Sequence, residues 1–245
     1  MTDVKTALVT GGARRVGRAV VQRLTADGFK VFFTYNSGQA AAEELARDLN
    51  GRRADSATAF RLDLAAPDAA DRLANIIRLS CGNRLDVLVN NASLFLPDDG
   101  PVGPTALLQR RLFEVNAFAP TSIMSALAPA LQTAHGCVVN FLDLLTERPL
   151  PTYSAYCASK AALQVSTLAF ARKLAPHVRV NGIAPGVIDW PEHMPESERA
   201  AYLKRVPLGR AGTPTDAAEM VHWLATAAPY VTGQVIRLDG GRSLI

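Results

Sequence analysis

"ALVTGGARRVGRAV" (Ala7–Val20) reads as a short apolar run, a glycine turn and the start of an amphipathic helix. Gly11 and Gly12 let the backbone turn tightly, and Gly17 lets the helix pack closely on the strand. A helix entered this way presents free amide N–H groups, which can hold a pyrophosphate. The spacing is not GxGxxG, so the stretch gains its meaning from what surrounds it.

Outward from this turn, apolar runs alternate with helical patterns. "TALVT" (6–10), "KVFFTY" (30–35), "ATAFRLD" (57–63), "LDVLVN" (85–90), "GCVVNFL" (136–142), "VRVNGI" (178–183) and "GQVIRL" (233–238) read as strands. Several lack polar alternation, as strands buried on both faces do. Between them lie "RRVGRAVVQRLTADG" (14–28), stopping at Gly28, and "AAAEELARDLN" (40–50), stopping before Gly51. This alternation predicts an α/β fold: one domain over residues 1–245, with a doubly wound, seven-stranded parallel sheet and helices on both faces. The proline-rich, charged stretch 186–216 breaks the rhythm after the sixth strand, so a substrate lid is expected at about 187–213.

Composition narrows the function classes. The chain is 49% hydrophobic and 20% charged, which is globular usage. No apolar run is long enough to cross a membrane, and "MTDVKTALVTGG" lacks a signal-peptide pattern, so a cytoplasmic location is expected. Three cysteines (Cys81, Cys137, Cys157) form no CxxC pair, and the four histidines (His135, His177, His193, His222) are scattered, so no metal site is expected. The +4 net charge is dispersed apart from arginine pairs at 14–15, 52–53 and 110–111. That suits an anionic cofactor or small-molecule substrate rather than nucleic acid.

The second strand ends "FTYNSG" (33–38), giving Tyr35, Asn36 and Ser37 where an NAD site carries an acid for the ribose 2′-hydroxyl. Donors without an acid, with Arg14 in the glycine turn, suit a 2′-phosphate and hence NADP(H). Asp63 stands either to accept from an adenine amine or to cap the next helix.

Tyr156 and Lys160 are four apart in a helical stretch (152–175), so they share a face. A neighbouring ammonium favours phenolate and is expected to lower the tyrosine pKa toward neutrality. Asp143 lies thirteen residues before the tyrosine.

"TGGARRVG" (10–17), "NNAS" (90–93), "VNA" (115–117), "YCASK" (156–160), "VNGIAPG" (180–186) and "VTGQVIRLDGG" (231–241) occur in order. Together they resemble the short-chain dehydrogenase/reductase family over essentially the whole chain. The resemblance implies a Rossmann domain, hydride transfer from a nicotinamide, and a homotetramer. It makes Tyr156 the proton donor, Lys160 its tuning partner, and Asn116 the holder of a relay water. It adds Val16, Leu64, Asn90, Ala92, Ser93, Pro185, Gly186 and Ile188 to the cofactor contacts. Arg15 replaces the usual glycine and Asp143 the usual serine. Both changes resemble the pteridine reductase branch, including dihydromonapterin reductases, as does Phe95 just after "NNAS". The resemblance thus implies reduction of a dihydropterin C=N bond, with Asp143 beside the nitrogen, Phe95 stacking on the pterin, and Arg15 and Ser93 at its edge. A carboxylate suits a nitrogen gaining a proton and opposes a growing alkoxide. Two alternatives remain: a carbonyl reductase acting on an oxoacyl or sugar ketone, in which Asp143 merely pairs with Arg148 or caps a turn, and a cofactor-binding regulator without catalysis.

Overall fold

The computed structural model describes residues 4–190 and 194–245, so residues 191–193 of the expected lid, His193 among them, lie outside the described residues. In chain order the elements are β1 (Thr6–Val9), α1 (Arg15–Ala26), β2 (Lys30–Tyr35), α2 (Gln39–Arg52), β3 (Ala57–Arg61), α3 (Ala69–Cys81), β4 (Val87–Asn90), α4 (Ala106–Phe113), α5 (Ala119–Ala134), β5 (Cys137–Phe141), α6 (Ser154–Leu174), β6 (Arg179–Pro185), α7 (Glu196–Leu203), α8 (Pro214–Thr226) and β7 (Val235–Leu238). The seven strands form one parallel sheet in the order β3-β2-β1-β4-β5-β6-β7.

Side chains that alternate along each strand feed two cores. Ala7, Val9, Phe33, Val89 and Val139 pack with residues of α1, α2 and α8 on one face. Leu8, Phe32, Leu88 and Val138 pack with residues of α3, α5 and α6 on the other. This two-sided burial explains the unbroken apolar runs. Gly28 adopts φ 91° just past α1, as a helix stop should. Gly51 does not act as the expected stop: α2 continues through it to Arg52, and the chain turns extended only at Arg53.

The connections reverse direction between β1 and β4. Their carboxyl ends therefore open a crevice, where parallel sheets of this kind hold ligands. Within the expected lid stands α7, and Ile188 bridges to Gly212 before Thr213 and Asp216 cap α8 reciprocally.

Candidate active site

A cleft of about 530 Å³ opens at that crevice. Its wall includes the expected Gly11, Arg14, Arg15, Val16, Tyr35, Asn36, Ser37, Asp63, Leu64, Ala92 and Ser93. The glycine turn is held from both sides. The Gly11 N–H donates to Thr34 Oγ1 (3.1 Å), and Asn91 Nδ2 donates to the carbonyls of Thr10 (2.9 Å) and Gly11 (3.0 Å). Gly11 has φ 66°. A Cβ on Gly17 would stand 2.1 Å from the Gly11 carbonyl oxygen, so only glycine permits this approach.

Several residues expected to contact the cofactor, Tyr156 and Lys160 among them, are not part of this wall. Asn90 is buried and does not line the cleft. Its amide donates to Asn140 Oδ1 (2.8 Å) inside the sheet, because side chains alternate along a strand and it is Asn91 that faces the glycine turn. Pro185 ends β6 and Gly186 and Ile188 follow it, all outside this wall, and Ile188 belongs to the core. Asp63 does not cap α3, whose first turn is entered from Asp68. It accepts from the Ala65 N–H (3.0 Å) in a local turn. Sequence reading missed Arg111 and Val115 as wall residues. Their spacing of four, with Val115 opening "VNA", is the signal that places them on one face.

Arg15 takes a left-handed conformation, φ 49°, where a glycine would be unstrained. Its guanidinium is tied to the start of the lid while the residue lines the cleft. It donates to Asp189 Oδ2 (3.0 Å) and to the Asp189 carbonyl (3.1 Å) at the start of the lid. Next to it, Trp190 packs edge-on against Tyr202.

The cleft ends at Ser93 and Leu94, where the catalytic candidates begin. Asn116 lies in a single π-helical turn (Glu114–Phe118) between α4 and α5, an insertion that often marks a functional position. Its Oδ1 accepts from Ser93 Oγ (3.1 Å) and the Leu94 N–H (2.8 Å). Its Nδ2 donates to the Leu94 carbonyl (2.9 Å) and Ser159 Oγ (3.0 Å). The side-chain amide thus makes four hydrogen bonds within the protein. It fixes the 93–94 backbone against α6.

The Tyr156 hydroxyl donates to Asp143 Oδ2 at 2.5 Å, a charge-assisted bond, while Asp143 Oδ1 caps a short turn at the Leu145 N–H (2.9 Å). Arg148 is not its partner; that side chain reaches the carbonyls of Ser243 and Ile245. Burial, then the Asp143 charge, push the Tyr156 phenol well above its ordinary range. This reverses the expected lowering. Lys160 Nζ donates to the Phe141 carbonyl (2.8 Å), and the phenol's hydrogen-bond partner is a carboxylate. Burial lowers Lys160 to about 8 against the opposing pull of Asp143, and burial raises Asp143 despite its bond from Tyr156. The dyad therefore keeps its proton on tyrosine at neutral pH.

Phe95 is half exposed, stacked on Tyr153 (4.4 Å between centroids, 10°) and edge-on to Tyr156 (4.7 Å, 88°). One ring face is therefore already taken by Tyr153. Asp98, further along the same loop, accepts from the Ser154 hydroxyl (2.6 Å), the Ser154 N–H (3.1 Å) and the Ala155 N–H (3.4 Å). Those bonds, led by the hydroxyl, hold its carboxyl below the usual range and clasp the loop to the start of α6.

The family model described as "Enoyl-(Acyl carrier protein) reductase" matches residues 11–243. The chain is 33% identical to "Pteridine reductase 1" of Leishmania tarentolae, over 97% of this chain and 96% of that protein. It is 32% identical to "Galactitol 2-dehydrogenase" of Agrobacterium fabrum and 31% identical to "Dihydromonapterin reductase" of Klebsiella pneumoniae, each over 97% of this chain and 96% of the relative. Among the described residues no helix is long and apolar enough to cross a membrane. With a parallel seven-stranded sheet, a glycine-floored cleft at its switch point and a Tyr–Lys pair four residues apart on α6, the chain belongs to the short-chain dehydrogenase/reductase family of NAD(P)(H)-dependent oxidoreductases.

Proposed function

We infer that the protein is an NADPH-dependent reductase of a dihydropterin C=N bond. The observation that carries this reading is the bond from the Tyr156 hydroxyl to Asp143. A ketone reductase needs donors around an oxygen gaining negative charge, and a carboxylate there opposes that charge. The same carboxylate stabilises a ring nitrogen as it takes up a proton. The names of two of the three relatives, which concern pterins, support the substrate class.

The residues present fit a dinucleotide. The floor at Gly11 and Gly17 excludes side chains, which leaves the backbone free to approach a pyrophosphate. Tyr35, Asn36, Ser37 and Arg14 offer donors for a 2′-phosphate, and none of them is an acid. Asp63 keeps a carboxylate oxygen free of its turn for an adenine amine. When bound, the reduced nicotinamide supplies hydride to carbon. The protein's part is to hold and move the proton. Tyr156 holds it, Asp143 accepts its hydrogen bond and faces the nitrogen that becomes charged, and buried Lys160 supplies positive potential. The exposed face of Phe95 bounds the flat substrate opposite Tyr153. The lid would close over the substrate. Apolar side chains left exposed at Leu107, Phe118, Val165 and Leu168 give a surface for the homotetramer.

The test is NADPH consumption followed by absorbance with a dihydropterin, with an activated ketone, and with neither. Preference for the dihydropterin is expected. Preference for the ketone overturns the reading in favour of a carbonyl reductase, and no turnover of either favours a non-catalytic cofactor binder.

A further inference from the structure

The three arginines of "ARRVGR" (13–18) are used differently. Arg15 pairs with Asp189 and Arg18 with Glu44, each at 3.0 Å. Arg14 has no acidic partner among the described residues and lines the cleft. Its guanidinium rests against Gly38. A Cβ built on Gly38 would stand 2.7 Å from Arg14 Nη2 and 2.9 Å from both its Cζ and Nε. Three guanidinium atoms thus crowd the space that any side chain at position 38 would fill. Gly38 enters α2 with φ 86° and follows directly on Tyr35, Asn36 and Ser37.

We propose that Gly38 is a positioning residue that sets cofactor preference: by lacking a side chain it seats the Arg14 guanidinium beside Asn36 and Ser37, where the ribose 2′-phosphate is read. The inference rests on the NADP reading above and deepens it. Arginine recognises phosphate through a fixed fork of N–H donors, so its placement matters as much as its charge. Here the placement is set by the floor. A side chain at position 38 meets the movable end of Arg14 rather than backbone, so the clash resolves by displacing the guanidinium while the fold remains. The left-handed φ adds a modest backbone cost for a non-glycine residue, which asparagine bears best.

The experiment measures dissociation constants of NADPH and NADH by fluorescence titration, with melting temperatures as a check on folding. The proteins are wild type, Gly38→Ala, Gly38→Asn, Arg14→Ala and the Arg14→Ala/Gly38→Ala double variant. Wild type is expected to prefer NADPH. Both Gly38 variants should lose about tenfold or more of that preference through weaker NADPH binding, the scale of a lost charge-assisted contact, with NADH binding unchanged. The double variant should match Arg14→Ala, because Gly38 acts through Arg14. If Gly38 variants keep the wild-type preference while Arg14→Ala loses it, the inference is overturned and the NADP reading stands. If they weaken both cofactors equally, the role is structural and the inference also fails. If wild type shows no preference, the NADP reading fails and takes the inference with it.

Discussion

Replacing Asp143 by asparagine removes one charge and little else. Asparagine can still accept from the Leu145 N–H, now at 2.9 Å, so the short turn that leads toward the catalytic helix survives. What is lost is the anion at the end of the Tyr156 bond. A carboxylate about 4 Å from a nitrogen gaining a proton contributes roughly 4 kcal/mol at an effective dielectric of about 20. Asp143 is only partly enclosed, which trims the expectation to about 3 kcal/mol, the usual scale for one group that stabilises transition-state charge. That is on the order of 10²-fold in kcat/KM for a dihydropterin. The NADPH dissociation constant should stay the same, and an activated ketone should be reduced as well as or better than before. The pH profile adds a signature. Lys160 sits at about 8, lowered by burial and held up by Asp143. Its ammonium is lost as pH rises through that value, so wild-type activity should fall on the alkaline side near pH 8. Without the Asp143 charge Lys160 drops further, and the limb should move toward acid. The assay is NADPH absorbance with both substrates across the pH range in both proteins. An unchanged dihydropterin kcat/KM and an unmoved alkaline limb would refute the reasoning.

Tyr156→Phe should lower dihydropterin kcat by about 10²-fold or more while NADPH titrates as before; full activity would remove tyrosine from the proton path. Gly17→Ala places a Cβ 2.1 Å from the Gly11 carbonyl, so it should cost about 1–3 kcal/mol or more in a denaturation curve and abolish NADPH binding. Arg15→Gly relieves a left-handed residue, a gain of about 1 kcal/mol, against a surface ion pair worth about 0–1 kcal/mol. Its melting temperature should therefore hold or rise, and a fall of several degrees would contradict the strain argument.

The strands were legible because burial on both faces writes long apolar runs, and all seven fall where those runs lie. The cleft wall was legible at Gly11, Tyr35 and Ser93 because strand ends and a glycine turn are local signals. Gly51 misled because a glycine ends a helix only where the chain takes a left-handed turn, and here it stays helical. The Arg15–Asp189 pair joins residues far apart in sequence, and nothing local foretells it. The tyrosine pKa was misjudged for a related reason. Spacing places Lys160 on the right face but does not say that the phenol points to Asp143 and the ammonium to a carbonyl. The π-helical turn that carries Asn116 is likewise set by tertiary packing rather than periodicity.

The clasp between Asp98 and the first turn of α6 has a practical meaning for anyone redesigning this enzyme. Through it, the loop that presents Phe95 and the helix that presents Tyr156 behave as one interchangeable cassette. Grafting residues 93–98 from a relative, while leaving Ser154 facing a foreign loop, would decouple the aromatic wall from the hydroxyl. A transplant that carries both halves of the clasp would bring a new substrate preference together with the alignment it requires.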